Sequence, residues 1–156
     1  MFLFKDGKKK AFGFIFVVLF AGCFGGERKK EPLAWTKTAT LAGLNRGDFG
    51  EPFGLAIKAG ALYVSDGEQG KIKRVFKDGR IESVTDKLDT PSGIAFDNEG
   101  YLIVADSGTH TIKRVNVENG EVSLVAGIEN KKGFADGGAL DQALFNAPVG
   151  VAVWEN

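Results

Sequence analysis

Asp66 and Asp106 stand 40 residues apart, and each closes an apolar run: Leu62-Tyr63-Val64-Ser65-Asp66 and Leu102-Ile103-Val104-Ala105-Asp106. A carboxylate at a strand end has two uses. It meets a ligand or cation at a rim, or it accepts backbone N–H groups from the turn that follows. Recurrence in both copies favours the second use, because a feature repeated with the unit serves the unit. Arg74 and Arg114 recur at the same interval, each after a lysine. They offer either a basic strip for an acidic partner or, as expected here, partners for nearby carboxylates, with Lys73 and Lys113 solvated. His110 is the one histidine, and its matching position in the first copy is Gly70. A metal ligand or a base is its functional use; with no clustered partner, a structural role is expected. Asp136 and Asp141 lie in a long Gly-rich segment of the kind that carries binding function on rigid scaffolds. Their spacing does not match a calcium loop.

What must position these residues is a repeating strand unit. Ile72-Lys73-Arg74-Val75 becomes Ile112-Lys113-Arg114-Val115, again 40 residues on. A period in this range means stacked supersecondary units. The first unit is expected to hold strands at 54–58, 61–65, 71–76 and 80–85. The second is expected to hold them at 93–96, 101–105, 111–117 and 121–126. Turn residues separate them, including Asp66-Gly67, Asp78-Gly79 and Asn119-Gly120, and such pairs favour tight hairpins. Further strands are expected at Ala39–Ala42 and Gly150–Trp154, giving ten. A single helical turn is expected near Asp141–Phe145. The inner strands are apolar on both faces, so both faces must be covered. Stacked propeller blades cover them; a two-sheet sandwich would show cleaner alternation and no such period.

Hydrophobic residues at 44% and charged residues at 26% fit a globular chain. The formal charge is zero, but residues 1–22 carry +3 and the remainder −3. A weakly acidic body gives no electrostatic footprint for nucleic acid. One Cys and one His exclude an internal disulfide and a site built from Cys and His alone. Trp35 and Trp154 are expected as packed aromatics, or as aromatics exposed by truncation.

The N-terminus reads as an address. Lys8-Lys9-Lys10 precedes an uncharged run from Ala11 to Gly22, too short to span a bilayer comfortably. The run ends in Leu19-Phe20-Ala21-Gly22-Cys23 and resembles a bacterial lipoprotein signal, with Phe20 where that family favours Leu. The resemblance implies a signal peptide at 1–22 and lipidation of Cys23. A plain secretory signal and an uncleaved anchor are the alternatives. Residues 23–38 follow as a tether, with Gly25-Gly26, a charged run from Glu27 to Glu31, and Pro32. Phe24, not Asp, follows Cys23, which is compatible with an outer membrane.

Three phrases open successive units: Pro52-Phe53-Gly54-Leu55-Ala56-Ile57, Pro91-Ser92-Gly93-Ile94-Ala95-Phe96 and Pro148-Val149-Gly150-Val151-Ala152-Val153. Pro suits a strand entrance, and Gly allows backbones to approach near a crowded axis. With the run from Val104 to Val115, these phrases resemble the NHL repeat over about residues 40–153. The segments Gly133–Gly138 and Ala143–Pro148 resemble an insertion common in such repeats, and a His at the place of His110 is frequent there. The resemblance implies an all-β fold: a partial β-propeller of four-stranded antiparallel blades over 39–156. About two and a half blades, of six in a parent, are expected. Propellers close with about four to eight blades. A piece of a longer propeller is therefore expected, with further blades or self-association covering the exposed faces.

The function expected is a binding or scaffolding module, exported and lipid-anchored at a bacterial outer membrane or cell surface. Its ligand would be a protein or carbohydrate, bound without a cofactor and without nucleic acid. Weak candidate ligand residues are Asp66, Asp106, His110, Arg74 and Arg114. The alternative is part of a propeller hydrolase or lyase, related to lactone hydrolases, with a divalent metal in the central channel.

Overall fold

The computed structural model describes residues 40–43 and 45–154. The signal, Cys23, Trp35 and the tether lie outside them. Eight strands form among the described residues, and no helix. The first sheet is β1 (Pro52–Lys58), β2 (Ala61–Asp66), β3 (Lys71–Val75) and β4 (Ile81–Thr85). The second is β5 (Pro91–Phe96), β6 (Leu102–Asp106), β7 (Thr111–Val115) and β8 (Val122–Ala126). Each is an antiparallel meander in sequence order.

The two sheets carry the same irregularities at matching places. The first strand shifts register between Pro52 and Leu55, and again between Pro91 and Ile94. The third strand shifts after Ile72 and after Ile112. Bulges of this kind twist a strand locally. Their recurrence makes the sheets copies of one blade.

The blades bury their shared side. Ala61, Tyr63 and Ile72 of the first pack with Ile94, Leu102, Val104, Val115 and Val117 of the second. The edge of the Tyr63 ring meets Phe96 at 5.0 Å between centroids and 83° between planes. The other side of the first blade, with Leu62, Val64 and Val75, is covered by Leu41, Ala42 and Phe49.

Gly54 and Gly93 act where the sequence places them. A Cβ on Gly54 would stand 2.5 Å from Ser92 O, and one on Gly93 would stand 2.5 Å from Val149 O. The three opening phrases therefore stack one on the next. Gly93 N donates to Val149 O at 2.6 Å, and the Ser107 hydroxyl donates to Pro148 O at 2.6 Å.

Two of the ten expected strands differ. Residues 150–154 form no ladder. A first strand pairs on one side only, with the second strand of its own blade, and no such strand lies beside these residues among those described. Near the start, Thr40 makes a single bridge and residues 41–43 make none. The turn expected near Asp141–Phe145 falls at 139–142, where Gln142 N and Ala143 N both donate to Gly138 O. Leu144 instead bridges Ala135. Trp154 is 90% exposed.

Candidate functional site

Asp66 and Asp106 are fully buried, and each gathers the chain entering its blade. Asp66 accepts Gly50 N at 2.9 Å, Glu51 N at 3.0 Å and Gln69 N at 3.3 Å. Asp106 accepts Asp89 N at 2.9 Å and the Thr109 hydroxyl at 2.9 Å. Both therefore bond backbone, Asp66 from the following turn as well as from the segment before its blade.

Each carboxylate also holds a lysine. Lys73 Nζ lies 2.8 Å from Asp66 Oδ2, and Lys113 Nζ lies 2.9 Å from Asp106 Oδ2. The side chains of these lysines are 7% and 8% exposed, which corrects the expectation that they are solvated. The cause is register. Asp66 pairs with Lys71 across the hairpin, so Lys73, two residues on, shares its face diagonally. Lys73 also donates to Gln69 Oε1 and stands over the Phe49 ring. Lys113 has a second carboxylate, Glu129, at 2.9 Å. Burial raises the Asp66 pKa, but the Lys73 ammonium and the Gly50 and Glu51 N–H groups outweigh it, and the net direction is down. Burial lowers the Lys113 pKa, and Glu129 and Asp106 more than reverse it.

The two arginines point the other way and part company. Arg114 pairs with Asp97 and Glu99 at 2.8 Å each and covers the Tyr101 ring at 3.8 Å. Among the described residues Arg74 pairs with no carboxylate, contrary to expectation. It donates to Val117 O in the second blade and approaches the Tyr63 ring at 5.5 Å. Local sequence explains the difference: Lys58-Ala59-Gly60 stands in the first blade where the second has the longer Asp97-Asn98-Glu99-Gly100.

His110 has a φ of 61°, and Gly70, its counterpart, has 63°. Its Nδ1 accepts Ala147 N at 3.1 Å. The left-handed turn and the bond to the insertion account for its position. No cluster of three potential metal ligands occurs among the described residues. Asp136 and Asp141 are exposed in the insertion, and none of Asp66, His110, Arg74 and Asp136 converge on one site.

The residues that do meet in a concave place were not singled out by sequence. A cleft of about 280 Å³ lies between the blades. Lys58 and Ala59 of the β1–β2 turn, Glu99, Gly100 and Tyr101 before β6, and Asn116, Val117 and Glu118 after β7 line it, with Tyr63. Tyr63 is 4% exposed, and its hydroxyl has no hydrogen-bond partner among the described residues. Burial raises its pKa; Arg74 opposes this and Glu118 adds to it. The phenol thus stays a neutral donor. A signal did exist: Tyr63 occupies the position that Ile103 fills in the second copy, so the blade itself does not require a hydroxyl there.

With the geometry in place, the likeness to known proteins is specific in one region. The NHL repeat pattern matches residues 88–115, which run from the entry of the second blade to the end of β7. NHL repeat-containing protein 2 from Bos taurus is 25% identical over 139 residues, covering 72% of this chain and 19% of that protein. The Gallus gallus protein of the same name is 26% identical, with the same coverage. The chain thus spans about a fifth of the length of these curated relatives. Among solved structures, a structural genomics protein of unknown function from Bacteroides thetaiotaomicron superposes with a TM-score of 0.65 at 20% identity. That match covers 75% of this chain and 34% of the other. A chain of the nidogen/laminin complex superposes with a TM-score of 0.52 at 24% identity, covering 60% of this chain and 38% of the other. Two four-stranded blades stacked through repeated Pro-x-Gly entrances give this chain the β-propeller fold, and the NHL repeat pattern lies on the second blade.

Proposed function

We propose that this chain is a binding module of a bacterial cell envelope, exported by residues 1–22, held by a lipid on Cys23 and set off from the membrane by the tether at 23–38. Its partner is a protein or a carbohydrate. The observation that carries the binding reading is a division of labour among polar residues. Those that repeat, Asp66 with Lys73 and Asp106 with Lys113, are engaged inside their blades. Those that differ between copies, Lys58 and Tyr63 among them, line the cleft between blades. Rigid framework and variable concave lining are what recognition needs.

The metal-dependent hydrolase or lyase reading gains no support from His110, whose Nδ1 already accepts the Ala147 N–H. Two measurements test the proposal. Fatty-acid labelling is expected on the wild type and lost on Cys23→Ala. The unfolding temperature of the chain is expected to rise with a protein or polysaccharide fraction of an envelope extract, since a ligand of the native state stabilises it. Turnover of lactone or lyase substrates with no such rise would overturn the binding reading.

A further inference from the structure

Four groups without a hydrogen-bond or ion-pair partner among the described residues belong to side chains that line the cleft between the blades. The Lys58 ammonium stands over the Phe96 ring at 4.9 Å and has no carboxylate partner among the described residues. The Glu118 carboxylate has no cationic partner there, although its backbone N–H donates to Asn116 Oδ1. The Asn116 side-chain NH2 has no hydrogen-bond partner among the described residues. The fourth group is the Tyr63 hydroxyl, on a side chain otherwise enclosed by the two blades. Glu99 differs from these, being held by Arg114.

Two opposite charges therefore border one small space without meeting each other. A solute carrying both charges would satisfy both. A neutral polyol would leave each without a counter-charge, and the aromatic faces it would stack on are already approached by arginine: Tyr63 by Arg74 and Tyr101 by Arg114. At about 280 Å³ the space falls just under the roughly 300 Å³ at which drug-sized pockets begin, so the solute is small. We infer that the inter-blade cleft takes a zwitterion of α-amino-acid size: its carboxylate at Lys58, its ammonium at Glu118, and a hydrogen bond from Tyr63. This rests on the reading of the chain as a binding module and adds a small-molecule site to it, separate from the protein or carbohydrate partner.

The test is titration calorimetry of the full chain in mild detergent with glycine and glutamine. N-acetylglycine, glycinamide and glucose serve as single-charge and uncharged controls. Glycine and glutamine are expected to bind. Removing either charge should weaken binding tenfold or more, and glucose should give no heat. Tyr63→Phe keeps the ring and is expected to lower affinity roughly five- to tenfold, the value of one hydrogen bond. Glu118→Gln should weaken glycine while leaving N-acetylglycine unchanged. An unchanged unfolding temperature without ligand shows that both variants fold. Silence from glycine and glutamine at millimolar concentration, equal heats from glucose, or wild-type affinity in Tyr63→Phe would overturn the inference. If zwitterions fail while an envelope fraction still raises the unfolding temperature, the zwitterion falls and the binding module stands.

Discussion

Lys113 Nζ sits 2.9 Å from Asp106 Oδ2, repeating the 2.8 Å contact that Lys73 makes with Asp66 in the preceding blade. In both blades the pair joins the second strand to the third, and the carboxylate also catches the backbone on its way in. The two pairs lock the blades individually.

Removing one partner of such a pair leaves a buried charge uncompensated, which costs about 3–5 kcal/mol. Asp66→Ala also strips acceptors from Gly50 N and Glu51 N. Its cost in urea unfolding is therefore expected at the upper end of that range. Arg80→Ala, which breaks exposed pairings with Glu82 and Asp78 and a stack over the Phe76 ring, is expected to cost under about 2 kcal/mol. Equal effects of the two substitutions would contradict the locking role.

Acid and base act on the pairs in opposite senses. The Asp66 pKa is depressed from 3.8 in the folded chain. Its contribution is therefore present above that value and lost as pH falls through the lower folded value. The Lys113 pKa is raised above 10.5. Its contribution is present below 10.5 and lost as pH rises through the higher folded value. Stability measured against pH should show a plateau between the two, and Asp66→Asn should flatten the acid limb alone.

Much of this was legible in the sequence. The eight paired strands lie within a residue or two of the expected spans, because turn residues mark their ends and the period repeats. The fate of Lys73 was not legible. A lysine beside an arginine on a strand reads as solvent-facing. Its burial depends on register to Asp66 and on cover from Asp48 and Phe49. The strand expected at 150–154 has the right residues, yet a strand exists only beside a partner. Tyr63 joined the cleft through the stacking of two blades, which no window of sequence displays.

The opening phrases give a sharper contrast. At Gly93 an added Cβ meets backbone at 2.5 Å, while at Gly150 it meets nothing within 4 Å. Backbone cannot yield as a flexible side chain does. Gly93→Ala is expected to destabilise the chain by about 1–3 kcal/mol, and Gly150→Ala to change it by less than about 0.5 kcal/mol. Thermal unfolding of the two variants checks this.

His110 is held in a backbone conformation that costs an L residue roughly 1–2 kcal/mol, and its ring bond to Ala147 N offsets about 0.5–1.5 kcal/mol of that. His110→Gly should therefore be nearly neutral in stability. His110→Val, which keeps the strain and loses the bond, should be clearly destabilising. A large loss in His110→Gly would point to a role beyond the turn.

The claim on which everything else depends is that the two copies are neighbouring blades packed face to face, and Tyr63 against Phe96 is its most direct witness. A proton NOE experiment on the full chain, with the two rings assigned, reads that contact. Strong cross-peaks between the Tyr63 and Phe96 ring protons are the expected result. Intact ladder NOEs within β1–β4 and β5–β8, with no cross-peak joining Tyr63 to Phe96, would contradict it.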